Sequence, residues 1–470
     1  MKVKRLLNLL LSTALVFALL SAAPARAAIW SGGATQPPGV GTPQSPYQIS
    51  TGEHLKWFAN QINNGNTAGY ANLIANIVLN DTSNLQNWAT SPPANTWTPI
   101  GNAANRFKGI FNGQGYTVSG VYINCTSSYQ GLFGCIGTDG AGTVKNVKVA
   151  NSYIKGQDYV GGICGEMYFF STISGCESGA TIIGNDYSGG ITGSIAKNAS
   201  LSNCRNTGNV TGMHWCAGGI AGHNNGTLLG CVNQGPVTGV GQISSLGGLV
   251  GLNYSVLSNS YSSGSVSASG NYIGGVCGIN GSGGAVTNVY NAGSVTGGWP
   301  VCGYAQSGSS LANVYFSGAS ASNGIGANQG TGKPVNKSAE QFASGEVAYL
   351  MGTEYGQTLG SGGDPLPVFR ASDNSNEVYR LTYMNGTAVH AVQYYNAGAT
   401  VSSDSITSPT MDDGAFSHWE GLPNSMPAQD VTVTANSTPA APTITTTSLP
   451  SGAAYKAFSA QITATGTKPI

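Results

Sequence analysis

Charge is what this chain lacks most. Only 8% of its 470 residues are Asp, Glu, Lys or Arg, against about 25% in an average soluble protein. Such a surface stays soluble through Ser, Thr, Asn and exposed backbone, which suits short strands and turns better than exposed helices. The five histidines form no HExxH and the nine cysteines no CxxC, which excludes a helical zinc site and a dithiol redox motif. No GxSxG elbow or phosphate loop stands in a strand-to-helix context, and loose glycine-rich matches carry no weight in a chain with 70 glycines. No cofactor and no metal are expected. One long apolar run occurs, Leu6 to Leu20, after Lys2, Lys4 and Arg5 and before Ala25-Arg26-Ala27. Residues 1–27 therefore read as a cleaved secretory signal. No later stretch approaches the roughly 20 apolar residues of a spanning helix, so no transmembrane segment is expected after cleavage. Four of the 18 basic residues leave with the signal, so 14 face 18 acidic ones, a balance that argues against nucleic acid as a partner.

What the chain has is a repeat. Between positions 131 and 303 one phrase recurs seven times. Its clearest copies are GGICG at Gly161, GGITG at Gly189, GGIAG at Gly218, GGLVG at Gly247 and GGVCG at Gly274, with GLFG at Gly131 and VCG at Val301 as flanking forms. A near-constant period of this length predicts stacked supersecondary units. Three aliphatic columns run through the copies: Leu132, Ile163, Ile191, Ile220, Leu249, Val276, Val301; Val144, Ile173, Leu201, Leu228, Leu257, Val286, Leu311; and Ile154, Ile182, Val210, Val237, Val266, Val295. The columns predict three short strands per repeat and a parallel β-solenoid of roughly triangular section, with turns about 4.8 Å apart. Two places after each second-column aliphatic comes Asn146, Gly175, Asn203, Gly230, Asn259, Asn288 or Asn313, residue types that enter the left-handed region most cheaply. A sharp bend is expected there. The next residue then faces the core: Val147, Cys176, Cys204, Cys231, Ser260, Val289 and Val314.

A stack needs covered ends. Ser50-Thr51-Gly52-Glu53 reads as a capping box opening an amphipathic helix, with Leu55, Phe58, Ala59 and Ile62 on one face and Gly65 at its stop. Phe107 to Ile123 reads as irregular first rungs, and Ser338 to Met351 as one short closing helix.

GGLVGLN (Gly247–Asn253) followed by LSNSYSSGSV (Leu257–Val266) resembles the GLUG-motif repeat family of bacterial secreted and surface proteins. WTPIG at Trp97, FNGQGYTVSG at Phe111 and FASGEVAYLM at Phe342 resemble segments that accompany those repeats. The resemblance covers about 47–370 and implies an extracellular β-helical module without catalytic residues. Phe416 to Ala435 resembles the small β-rich repeat modules of bacterial surface proteins of the internalin type. Residues 441–470 resemble the opening strands of an immunoglobulin-like module, and about 30 residues cannot close a sandwich of about 100. The expected organisation is a signal peptide (1–27), a linker (28–46), an N-terminal cap with irregular rungs (47–123), GLUG-type solenoid repeats (124–330), a C-terminal cap and linker (331–375), a small β-rich surface module (376–438) and a truncated immunoglobulin-like segment (439–470).

Asp158, Asp186 and His214 recur at one constant spacing, the period of the repeat, and Tyr159, Tyr187 and Trp215 follow them directly. Stacked on successive turns they form a ladder of carboxylates and imidazole beside an aromatic column. Paired carboxylates about 5 Å apart are what a retaining glycosidase uses, and aromatic faces stack on sugar rings. The plainer reading is a solvated corner whose aromatics bury one another. Among the cysteines, Cys277–Cys302 and Cys125–Cys135 are the candidate disulfides, and Cys176, Cys204 and Cys231 read as buried thiols. These readings converge on a secreted, cell-surface, adhesin-like protein of bacterial type, non-catalytic, whose solenoid is a scaffold for extracellular glycans or surface proteins. The alternative is a polysaccharide lyase or glycoside hydrolase on a β-helix.

Overall fold

The computed structural model describes residues 28–138, 142–318, 323–412, 414–452, 457 and 459–465. The signal read at 1–27 lies outside them. The chain divides into two compact units, one running to Val286 and including Gly293–Ser310 and Ile325–Thr331, the other made of Thr287–Ala292, Leu311–Gly324 and the chain from Gly332.

The first unit is the expected all-β parallel solenoid. Face 1 is an eight-stranded sheet whose strands follow in chain order: Phe133–Ile136, Cys164–Met167, Thr192–Ile195, Ala221–Asn224, Val250–Asn253, Cys277–Asn280, Cys302–Ala305 and Ile325–Asn328. Eight passes over one face make about seven turns. Face 2 carries two segments per turn, such as Ser200–Ser202 and Arg205–Asn206; face 3 carries two more, such as Val210–Gly212 and Cys216–Gly218. A regular turn therefore has five strand segments on three faces, where the columns had suggested three. The extra breaks arise from bends within faces 2 and 3.

The columns stack as read. On face 2, Val144, Ile173, Leu201, Leu228 and Leu257 are successive register partners. On face 3, Ile154, Ile182, Val210, Val237, Val266 and Val295 follow suit. The first column lies outside any strand, at the corner between faces 3 and 1. There the Ile191 amide donates to Ile220 O (3.0 Å) and the Ile220 amide to Leu249 O (2.9 Å). Apart from Val295, which is half-buried, these residues are sealed from solvent. Packing of this kind stabilises by about 1.5–3 kcal/mol per aliphatic side chain.

The bend on face 2 is left-handed at every copy, with φ between 46° and 64° at Asn146, Gly175, Asn203, Gly230 and Asn259; Asn288 and Asn313 of the second unit share it. It sets the role of the small column. Each of Cys176, Cys204 and Cys231 donates its thiol to the carbonyl two places earlier, at 3.4, 3.2 and 3.5 Å. Ser260 does the same at 2.8 Å and accepts the Cys231 amide at 3.0 Å. The column is thus a chain of small donors and acceptors that serves the backbone at a bend.

The double glycine is a close-packing device. A methyl on Gly189 would lie 2.1 Å from Thr192 O, and one on Gly190 would lie 2.3 Å from Gly219 O and from Asn206 Cγ. No side chain fits where the chain turns this tightly beside the next turn. The buried amide that Gly190 meets, Asn206, belongs to one of two ladders of such amides. Asn206 donates to Asn233 (2.9 Å), while Asn224 donates to Asn253 (2.7 Å) and Asn253 to Asn280 (2.9 Å). Each of these asparagines is fully buried.

The N-terminal end is covered by helix Gly52–Asn63, which buries Leu55, Phe58, Ala59 and Ile62 as expected. Its cap is Thr51, whose hydroxyl accepts the His54 amide. Glu53 does not close a capping box with Ser50; it accepts from the Ser31 amide (2.9 Å) and hydroxyl (2.6 Å). Phe58 packs against Phe107 and Phe111, and both meet Phe133, so aromatic rings plug the first turns.

In the second unit the expected closing helix is two: Ala339–Ala343, with a Ser338/Gln341 capping box, and Glu346–Met351. Gly345 at φ 90° separates them. Phe342 packs on Tyr290 with centroids 5.5 Å apart. Further on, a four-stranded sheet ordered Ala388–Asn396, Val378–Asn385, Val431–Thr438 and Ala415–Glu420 forms the small C-terminal β module. Its core is Leu381, Tyr383, Trp419, Met426 and Val433. The last described pairing is Thr443–Ile444 with Ala464–Thr465.

Candidate functional site

The tyrosine corner sits where face 3 ends and face 1 begins. Strands Asp158–Gly161 and Asp186–Gly189 pair in register, with Asp158 opposite Asp186. The tyrosine after each aspartate is left-handed, φ 56° at Tyr159 and 50° at Tyr187, and Tyr129 repeats this at 64°. Bulky side chains rarely adopt that backbone. Here stacking holds it: Tyr129–Tyr159 and Tyr159–Tyr187 centroids are both 5.0 Å apart, with interplanar angles of 9° and 21°. The last glycine of three repeat phrases leaves room for the backbone of this column. A methyl on Gly165, Gly193 or Gly222 would come within 2.7, 2.6 and 2.7 Å of the Cα of Tyr129, Tyr159 and Tyr187.

The column does not continue through Trp215. Asp158 pairs with Asp186 and Val160 with Ser188, but Ser188 then pairs with Ala217 where an unbroken spacing would bring Cys216. The inserted residue bulges outward, and both the His214 and Trp215 amides converge on Asn185 O at 3.1 and 3.3 Å. Trp215 is left 45% exposed. His223, from face 1, takes its place 5.6 Å from Tyr187, and Tyr254 follows at 5.9 Å. His214 does join the aspartates, its Nδ1 lying 2.7 Å from Asp186 Oδ1.

Beside the rings, face 1 presents Cys135, Glu166, Ser194 and His223 as successive register partners. Burial pushes the Glu166 carboxyl up, against the pull of the Arg106 guanidinium. Burial also pushes the Cys135 thiol and the Tyr159 hydroxyl up to about 12, with Glu166 adding to both. It draws the His223 imidazole down, keeping it neutral, and Ser194 Oγ lies 3.2 Å from its Nδ1. Arg106 lies over the Tyr168 ring at 4.1 Å.

The Asp158–Asp186 pair is side by side on adjacent strands of one sheet. Glycosidase carboxyl groups instead flank the scissile bond. Asp186 is further engaged by His214 and by Asn185 Nδ2 at 3.2 Å. Among the described residues no group of three His, Cys, Asp or Glu is placed to hold a metal.

Neither candidate disulfide is formed, and all nine cysteines are free thiols. Cys277 and Cys302 are register partners with sulfurs 3.5 Å apart, a thiol contact and not a bond. Cys125 turns its thiol to Lys155 O at 3.8 Å, while Cys135 is buried in a strand of face 1.

Tyr129, Glu166, Ser194, His223 and Tyr254 escaped the sequence reading. A signal for the tyrosines existed: Tyr129, Tyr159, Tyr187 and Tyr272 each stand two places before the first glycine of a repeat phrase, and Tyr272 stacks on Tyr304 at 5.4 Å. His223 and Tyr254 carry no such mark, since they enter the column from the far side of the corner.

No protein-family model matches the chain. Among known proteins it is similar to a "Putative Gly-rich membrane protein" of Evansella cellulosilytica, 37% identical over 134 residues, which are 28% of this chain and 14% of that relative. The chain thus spans about a seventh of that protein's length. Among the described residues no helix is long and apolar enough to cross a membrane. Among solved structures it is similar to a "putative immunoglobulin A1 protease" from Bacteroides ovatus, at 17% identity and a TM-score of 0.46, covering 70% of this chain and 94% of that one.

Proposed function

We propose that this is a secreted, surface-associated protein of the GLUG-repeat type, whose solenoid is a non-catalytic scaffold that binds extracellular glycan. The observation that carries the reading is the column Tyr129–Tyr159–Tyr187. Three tyrosines hold an uncommon backbone conformation at equivalent positions of successive turns, and such conformations cluster at functional sites. The rings use their faces on one another, so a ligand meets their edges and hydroxyls. Many weak contacts along a rigid row suit a repeating polymer. The side-by-side aspartates supply hydrogen-bond acceptors, and nothing about their placement flanks a bond to be broken.

A glycan array probed with the chain from residue 28 tests this. Retention of polysaccharide that is lost in Tyr159→Ala supports the reading. Depolymerisation of any retained glycan that vanishes in Asp158→Asn would replace it with the enzyme alternative.

A further inference from the structure

We propose that the tyrosine column takes a linear, uncharged pyranose polymer laid along the solenoid axis, one sugar per turn. This rests on the glycan reading above and adds the ligand's charge class, shape and direction.

The first argument is pitch. The rings repeat every 5.0 Å from Tyr129 to Tyr187 and continue at 5.6 and 5.9 Å through His223 and Tyr254. That spacing is set by the strand separation of the solenoid. A pyranose ring linked across its 1 and 4 positions advances by nearly the same distance, so each sugar of an extended chain comes level with one ring of the column. A chain laid across the axis would meet one tyrosine only.

The second argument is the unmet hydrogen bonding. Among the described residues the hydroxyls of Tyr129, Tyr159 and Tyr187 have no protein partner, nor are they among the buried unpartnered atoms, so they face solvent. With the Tyr159 hydroxyl at about 12, it remains a donor at neutral pH. Beside them Asp158 Oδ1 is shielded and unpartnered. Sugar hydroxyls both donate and accept, and so satisfy both kinds of group at once.

The third argument is charge. Asp158, Glu166 and Asp186 lie along the strip; Arg106 stands near Glu166, and His214 is held on Asp186. Uronates or sulfates on the sugars level with Asp158, Glu166 and Asp186 would be repelled.

The test is calorimetric titration of the chain from residue 28 with β-1,4-linked gluco-oligosaccharides of increasing length, and with galacturonate oligomers of matched length. Affinity should rise with each added sugar until the ring column is covered, then level off, with galacturonates clearly weaker. Tyr159→Phe keeps the ring stack and should lower affinity roughly fivefold, the worth of one hydrogen bond. Equal affinity for short and long gluco-oligosaccharides, an unchanged Tyr159→Phe, or tighter galacturonate binding would overturn the axial, uncharged-ligand inference while leaving glycan binding intact. Failure of a folded protein to bind any member of either series, or any glycan on the array, would overturn the glycan reading itself.

Discussion

Replacing Asn206 by Ala tests whether the buried amide ladder holds the turns together. Asn206 Nδ2 donates to Gly208 O (3.0 Å) and to Asn233 Oδ1 (2.9 Å), and its Oδ1 accepts the Gly208 amide (3.1 Å). Alanine would strand three buried polar groups, one of them on the next turn. Each unmet group costs about 1–3 kcal/mol, and a water entering the vacated space recovers part of this, so we expect a loss of about 3–5 kcal/mol. Urea unfolding followed by circular dichroism measures it, and hydrogen exchange at the Gly208 amide reports the local opening. Asn233→Ala should behave similarly, because Asn233 repeats the arrangement with Gly235 O at 2.9 Å. The two share a bond, so the double variant should lose less than the sum, by about 0.5–3 kcal/mol. A change below about 0.5 kcal/mol in Asn206→Ala, or strict additivity of the pair, would refute the ladder as a stabilising element.

Three further outcomes are expected. Gly190→Ala drives a methyl to 2.3 Å from Gly219 O and should destabilise by about 3 kcal/mol or more; Gly179→Ala, exposed and 3.3 Å from a single flexible hydroxyl, should lie within about 0.5 kcal/mol of wild type. For Glu53, burial raises the pKa, but the Ser31 hydroxyl and amide outweigh it and hold the carboxyl down to about 2 from 4.5. A depressed folded-state pKa gives stability that is present above pH 4.5 and lost as pH falls towards 2; after solvent screening about 1 kcal/mol should separate Glu53→Gln from wild type at neutral pH and vanish in strong acid, by thermal melts across that window. His223, drawn down by burial, should destabilise the fold as pH drops below about 6.5, and His223→Gln should flatten that part of the stability profile.

The stacking was legible because it rests on repetition. Ile173, Leu201 and Leu228 recur at the period and are direct partners, and Asn203 and Gly230 mark a bend that only their residue types enter cheaply. Three things were not legible. The five-segment turn depends also on the break within face 3, between segments such as Val210–Gly212 and Cys216–Gly218, which leaves no aliphatic mark. The amide ladders use Asn206 and Asn233, and asparagine in a glycine-rich chain reads as turn until burial is known. The column's switch from Trp215 to His223 follows from one inserted residue, and a single insertion shifts a side chain to the other side of the backbone. The kink at Gly345 was visible as a glycine, but only packing decides whether a helix tolerates one or breaks there.

The most direct measurement of the account is the hydrogen bond from the Ile191 amide to Ile220 O, 3.0 Å long. With selective nitrogen-15 labelling at isoleucine amides and carbon-13 at isoleucine carbonyls, a through-hydrogen-bond coupling should link these two residues of adjacent repeats. Its presence would place the corner of one turn directly on the corner of the next. A coupling from Ile191 to a carbonyl of its own repeat, with none to Ile220, would contradict the solenoid register and with it the tyrosine column.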